Sequence, residues 1–192
     1  MTSILISGVG GQGTLLASRI LGNLAISMGY DVKVSEVHGM SQRGGSVVTY
    51  VRYSEGKVYS PLIDEGGADI ILAFEKLEAC RSLKYLKKGG VIIVNTQQIN
   101  PMPVITGAAV YPDNTMDSLT TSGAEVLAVD ALDLASSAGS IKSVNVALLG
   151  VLASTLDISK EKWLEALKTT IPAKHLDINL KAFELGIAAH SK

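Results

Sequence analysis

Three glycines at the spacing Gly8-x-Gly10-x-x-Gly13 stand between the apolar run Ile4 to Ile6 and a stretch of helical periodicity, the pattern of a phosphate-binding turn. In such a turn the first glycine permits a tight bend, the second lets a pyrophosphate approach the backbone, and the third lets the helix pack closely on the strand. Amides in the first turn of a helix lack internal partners and sit at the positive end of its dipole, so they hold an anion without help from a side chain. The backbone of Gly8, Gly10, Gly11 and Gly13 is therefore a candidate phosphate contact. The same glycines also serve simply to bring a helix and a strand together, and both readings stand at this point.

A second concentration of chemistry follows. Asp31 to Glu36 reads as a strand ending in an acid, near the place where a dinucleotide fold holds a ribose, so Glu36 is either a ribose ligand or a polar strand end. The loop from His38 to Gly45 then gathers an imidazole, the Ser41 hydroxyl, the Gln42 amide and the Arg43 guanidinium at the ligand-binding edge of such a sheet. Arg43 offers a planar fork for phosphate or carboxylate, and Gly44 and Gly45 allow close approach of a backbone or ligand. The alternative is that Arg43 pairs with Glu36 and pins the loop. Glu36, His38, Ser41, Gln42, Arg43, Gly44 and Gly45 are taken as candidate active-site or subunit contacts.

Independent catalysis finds little support elsewhere. Of three histidines, His175 and His190 lie in or near C-terminal helical segments with no acidic or nucleophilic pattern around them. Tyr53 and Lys57 match the Tyr-x-x-x-Lys spacing of short-chain dehydrogenases, but Ser54-Glu55-Gly56 reads as a turn, so the two side chains need not share a face. Nucleophile elbow, His-Glu-x-x-His and P-loop lysine motifs are all missing. The single cysteine, Cys80, sits in a helical pattern as a small apolar group, and one thiol excludes an internal disulfide or a four-cysteine iron–sulfur or zinc site in this chain. No metal site is expected.

Composition sets the frame. At 192 residues the chain suits one domain, 1–192, with a substantial core. Hydrophobic residues make up 47% and charged residues 18%, with a mean hydropathy of +0.31, so part of the surface is apolar and suited to a partner. A net charge of -1 and the lack of a basic run interleaved with aromatics argue against nucleic acid. The first strand begins at the N-terminus without a signal-like segment, and no apolar run approaches the ~18 residues of a membrane span, so a cytoplasmic location is expected.

The elements that must position these residues alternate. Leu15 to Ile26 continues the turn as a helix that Gly29 ends. Ser46 to Tyr53 is a β-branched and aromatic strand, expected to form a hairpin with Val58-Tyr59-Ser60 before Pro61. Ala68 to Phe74 and Val91 to Val94 read as strands buried on both faces, joined by a helix from near Glu75 that Gly89-Gly90 closes. Asn100-Pro101-Met102-Pro103 is expected to be extended or turned. Strands are expected at 108–111 and 125–129, and helices at 130–138, 145–152, from an N-cap at Ser159, and at 181–189. The class is α/β: a three-layer, Rossmann-like, mainly parallel sheet with a β-hairpin insertion and C-terminal helices.

The words Gly8-Val9-Gly10-Gly11-Gln12-Gly13, Glu36-Val37-His38-Gly39-Met40-Ser41-Gln42-Arg43-Gly44-Gly45-Ser46-Val47 and Tyr59-Ser60-Pro61-Leu62-Ile63 together resemble the gamma-type subunit of 2-oxoacid:ferredoxin oxidoreductases. The branch they resemble is the small beta subunit of indolepyruvate ferredoxin oxidoreductase. Ala68-Asp69, Phe74-Glu75, Glu78-Ala79, Tyr111-Pro112 and Asn145 to Gly150 add to the likeness. The resemblance implies a shared enzyme that oxidatively decarboxylates a 2-oxoacid on thiamine diphosphate, passes electrons through [4Fe-4S] clusters to ferredoxin and transfers the acyl group to coenzyme A. It implies that thiamine and clusters reside on a larger partner subunit, and that the isolated chain is inactive; the apolar surface that the composition suggests makes a homo-oligomer an expectation when the partner is absent. It further implies coenzyme A phosphates at the Gly10 to Gly13 turn or Arg43. The residues alone leave open an independent NAD-dependent dehydrogenase and a non-catalytic nucleotide-sensing module.

Overall fold

A computed structural model describes residues 1–38 and 45–190. In chain order the elements are β1 (Thr2–Val9), α1 (Thr14–Ser27), β2 (Asp31–His38), β3 (Ser46–Ser54), β4 (Ala68–Ala73), α2 (Lys76–Ser82), β5 (Leu86–Asn95), α3 (Met102–Ile105), α4 (Thr115–Thr120), β6 (Glu125–Val129), α5 (Ala131–Ala138), α6 (Val144–Ala153), α7 (Lys160–Thr170) and α8 (Ala173–His190).

The strands form one sheet in the order β2-β3-β1-β4-β5-β6. β1, β4, β5 and β6 pair in parallel, while β3 pairs antiparallel with both β1 and β2. Alternation along the strands divides the core in two, as the pleat requires. Ile4, Ile6, Ile70, Leu72 and Ile93 face α1 and α5 to α8, whereas Leu5, Ile71, Ala73, Ile92 and Val94 face α2 and α4. The three-layer, Rossmann-like arrangement expected from the sequence is therefore present.

Helix α6 is buried from Val144 to Leu152, which explains why its sequence is apolar all round: it is sandwiched between the sheet and α8. The α6–α8 crossing depends on two glycines. A Cβ at Gly150 would run into the Phe183 carbonyl oxygen, and one at Gly186 into the Ala147 carbonyl oxygen. Neither obstacle is a flexible side-chain tip, so neither can yield cheaply.

Several local expectations are corrected. Val58-Tyr59-Ser60 is not a strand; the hairpin partner of β3 is β2. Side chains hold that segment instead: Val58 N–H donates to Asp31 Oδ2 at 2.7 Å, and Arg52 Nη1 donates to the carbonyls of Ser60 (3.0 Å) and Leu62 (2.7 Å). Residues 108–111 are irregular, with Ala109 N–H bonded to the Pro103 carbonyl, and the parallel sheet ends at β6. The Pro-rich stretch opens the short helix α3, because proline is tolerated in a first helical turn. Gly89-Gly90 do not close α2, which ends at Ser82; they lie in β5 beside a register shift, where Gly89 has φ 78°. The last helix begins at Ala173 rather than 181. Ser159 occupies the N-cap position of α7 but makes no side-chain capping bond.

Gly150→Ala and Gly186→Ala are each expected to destabilise the fold by about 2–3 kcal/mol, as overpacking against fixed backbone does, and the double variant by less than the sum because the two sites share one contact. Thermal unfolding of the single and double variants measures both.

Candidate functional site

The parallel strands point their C-terminal ends to one edge, where Val9, Ala73, Asn95 and Val129 give way to loops. Helix α1 leaves β1 toward one face and α2 leaves β4 toward the other, so the gap between β1 and β4 is the topological switch point.

The glycine turn lies at this edge, with duties differing from those its spacing suggests. Gly8 is still in β1; a Cβ there would sit 3.0 Å from both Phe74 Cβ and Gln12 Oε1, so the glycine serves close packing rather than a bend. Gly11 and Gly13 have φ 98° and 86°, and they make the bend. Gly13 is the N-cap of α1, and a Cβ on it would strike Asn145 Nδ2 at 2.6 Å, so its smallness admits α6 rather than a strand. Gly10 N–H donates to the Gly45 carbonyl at 2.9 Å and Gln12 N–H to Val9 at 3.1 Å, which commits two amides of the turn internally. The first amides of α1 have no intrahelical partner, no side-chain cap and no acidic residue beside them.

A cavity of about 520 Å³ opens against that helix start, within the range of small-ligand sites. Gly11, Gln12, Gly13, Gln97 and Asn145 supply its polar wall, Leu16, Ile99, Leu132, Ile141 and Val144 its apolar one, and Lys142 its cation. Asn145 bonds the Gly13 carbonyl through Nδ2 at 3.3 Å, so the first turn of α6 abuts the first turn of α1. The open N-terminus of α1 thus faces a cavity that Lys142 also lines, a positive setting for an anion, while the start of α6 is partly closed, with Asn145 Oδ1 accepting the Val146 amide at 2.9 Å. The start of α5 is closed as well: Asp130 caps its Asp133 amide, and Asn95 Oδ1 accepts Ala131 N–H.

Across the sheet, two buried carboxylates organise the start of α2. Glu75 accepts from the Glu78 amide (3.0 Å), the Ile99 amide (3.2 Å) and Tyr111 OH (2.5 Å). Glu78 is flanked by Arg81 Nη1 and Ser46 Oγ, both at 2.5 Å. Every one of these oxygens is engaged, so the pair is structural; it fastens segment 97–111 and the start of β3 to α2. Cys80 donates to the Thr115 carbonyl, and burial, then Glu75, pushes its thiol upward, away from a reactive thiolate.

Of the candidate residues, Gly8, Gly10, Gly11, Gly13 and Gly45 meet at this edge. Glu36 does not join the turn: β3 separates its strand from β1, a displacement of roughly 10 Å, and its carboxylate accepts Thr49 Oγ1 at 3.3 Å. It is not placed as a ribose ligand beside β1. Ser41, Gln42, Arg43 and Gly44, and the side chain of His38, lie outside the described residues. Sequence reading missed Gln97, Lys142 and Asn145, which reach the turn only through tertiary contact. An acid at both the N-cap and N3 of a helix, a capping pattern, is the signal that could have pointed to Glu75 and Glu78 as a pair.

Residues 3–189 match the family model described as pyruvate ferredoxin/flavodoxin oxidoreductase. The chain belongs to that family. It is 46% identical to the indolepyruvate oxidoreductase subunit IorB of Thermococcus kodakarensis over 97% of this chain and 95% of that one. Its fold is similar to the gamma subunit of a keto/oxoacid ferredoxin oxidoreductase from Geobacter sulfurreducens PCA (TM-score 0.74, 24% identity, 98% of each chain). It is also similar to a 2-oxoglutarate:ferredoxin oxidoreductase from Magnetococcus marinus, solved with 2-oxoglutarate, coenzyme A and succinyl-CoA bound. There the TM-score is 0.76 at 21% identity, and 98% of this chain covers 30% of that longer one. Among the described residues no helix is long and apolar enough to cross a membrane.

Burial, then the hydrogen bond to Glu75, holds the Tyr111 phenol well above its ordinary value of 10.0. A raised folded pKa contributes stability that is complete below about pH 10, where the unfolded phenol is still protonated, and is lost as pH rises toward the folded value. Tyr111→Phe is expected to cost about 1–2 kcal/mol at neutral pH and to flatten the alkaline limb of the stability profile. Denaturant unfolding between neutral pH and the alkaline range checks both.

Proposed function

We propose that this chain is the cluster-free subunit of an indolepyruvate-type 2-oxoacid:ferredoxin oxidoreductase, working in the cytoplasm with a larger partner. The observation that carries the reading is near full-length identity of 46% to an indolepyruvate oxidoreductase subunit. The overall reaction takes a 2-oxoacid and coenzyme A to an acyl-CoA and carbon dioxide, with the electron pair passed to ferredoxin. Thiamine diphosphate, when bound by the partner, supplies the carbanion stabilisation that decarboxylation needs. A [4Fe-4S] cluster takes four cysteine thiolates and this chain has one cysteine, so its residues fit a division of labour in which clusters lie on the partner.

What the chain contributes is an anion seat with an apolar wall. The α1 N-terminus and Lys142 suit the phosphates of coenzyme A, while Leu16, Leu132 and Ile141 suit the flexible arm that follows. Arg43 and its neighbours in 38–45 are proposed to face the partner's active site, by resemblance. An independent NAD-dependent dehydrogenase fits less well: Glu36 is set away from the turn, and the family is one of ferredoxin-linked enzymes.

Anaerobic purification of the tagged chain from its host is expected to bring down a brown, thiamine-dependent partner that reduces an electron acceptor when given an aryl 2-oxoacid; a colourless solitary chain that binds NAD would overturn the reading. In that complex, Lys142→Ala and Arg43→Ala are each expected to raise the coenzyme A KM roughly tenfold, the loss of one charge-assisted contact, with the 2-oxoacid KM unchanged. Steady-state kinetics with both substrates varied measures the split.

A further inference from the structure

In an open α/β sheet the crevice at the switch point ordinarily receives the ligand. Here one side chain fills it. Gln12 Oε1 accepts the Val9 amide at 2.7 Å, and its Nε2 donates to the Phe74 carbonyl at 3.0 Å. The carboxamide therefore spans from the end of β1 to the residue after β4, directly over Gly8, whose missing Cβ leaves the room. Asn95 Nδ2 reaches the same Phe74 carbonyl at 3.1 Å from the end of β5, so the far anchor is itself fixed. A glutamine anchored at both ends on the backbone of different strands is not a solvent-swept side chain.

We propose that Gln12 is a positioning and specificity residue. Its carboxamide closes the β1–β4 crevice to a dinucleotide laid across the sheet, and it fixes the turn so that Gly11 and Gly13 face the cavity at the start of α6. The ligand this selects is a phosphate ester whose remainder runs along Leu16, Leu132 and Ile141 on the α6 side. This rests on the placing of coenzyme A phosphates at that cavity. Gln12 is one length only: asparagine is a methylene too short to reach both partners, while glutamate keeps the acceptor for Val9 but loses the donor for Phe74 and sets a negative charge beside the anion seat.

The test uses the purified complex carrying Gln12→Ala or Gln12→Glu, with hydrogen exchange over residues 7–13 and coenzyme A kinetics. Gln12→Ala is expected to speed exchange in that segment and to raise the coenzyme A KM about five- to tenfold, as loss of one buried hydrogen bond does, with the 2-oxoacid KM unchanged. Gln12→Glu is expected to keep exchange nearer wild type yet raise the coenzyme A KM further. NADH is expected not to compete with coenzyme A in the wild-type complex. Unchanged exchange in Gln12→Ala, or competition by NADH, overturns the proposal. An unchanged coenzyme A KM in Gln12→Ala beside a raised one in Lys142→Ala overturns it while sparing the placing of coenzyme A; unchanged values in both overturn that placing and the proposal with it.

Discussion

The carbonyl of Phe74 is the point on which the ligand edge turns. It lies just past β4, where the chain must leave the sheet for the opposite face from α1, and a buried carbonyl there needs a partner. It receives the amides of Gln12 and Asn95 from the ends of two neighbouring loops. Asn95 in turn accepts the first amide of α5, and Gln12 accepts that of Val9. One backbone oxygen thus ties together the exits of β1, β4 and β5, and the cavity beside Gly13 inherits its shape from that knot.

The second constraint is β3. Its antiparallel insertion between β1 and β2 lets the Gly45 carbonyl reach the Gly10 amide and lets Ser46 reach Glu78. It also moves Glu36 away from the place its position in the chain suggested. Polar groups near the switch point are thereby spent on holding loops: Glu75 and Glu78 have their oxygens occupied, and the Cys80 thiol bonds the Thr115 carbonyl.

What could be read in the sequence followed the range of the interaction. Helix α1, its glycine start and its Gly29 stop are set by neighbours in the chain, and they stand where periodicity put them; Gly29 N–H bonds Ile26 O at φ 81°. The buried strands were legible because both faces are covered. The duties of Gly8 and Gly13 were not, because they answer to Phe74 and Asn145, far along the chain. Lys142 and Asn145 carried no local signal, since nothing in Ile141 to Val146 says that this helix starts against the glycine turn. Val58 to Ser60 has strand-forming residues, but both sides of β3 are taken by β1 and β2, and Asp31 and Arg52 claim its backbone instead.

The parallel course of α6 and α8 carries a practical consequence for handling the protein. Ser143 and His175 line one cavity near the start of both helices, while Ser154 and His190 meet at their far ends, with Ser154 Oγ 3.0 Å from His190 Nδ1. The exit of α8 therefore lies about one α6 length, ~15 Å, from the cavity beside Gly13. A purification handle or fluorophore placed at the far end of α8 would sit clear of the mouth of that cavity, and so would one fused ahead of Thr2, which starts β1 at the end of the strand away from the glycine turn.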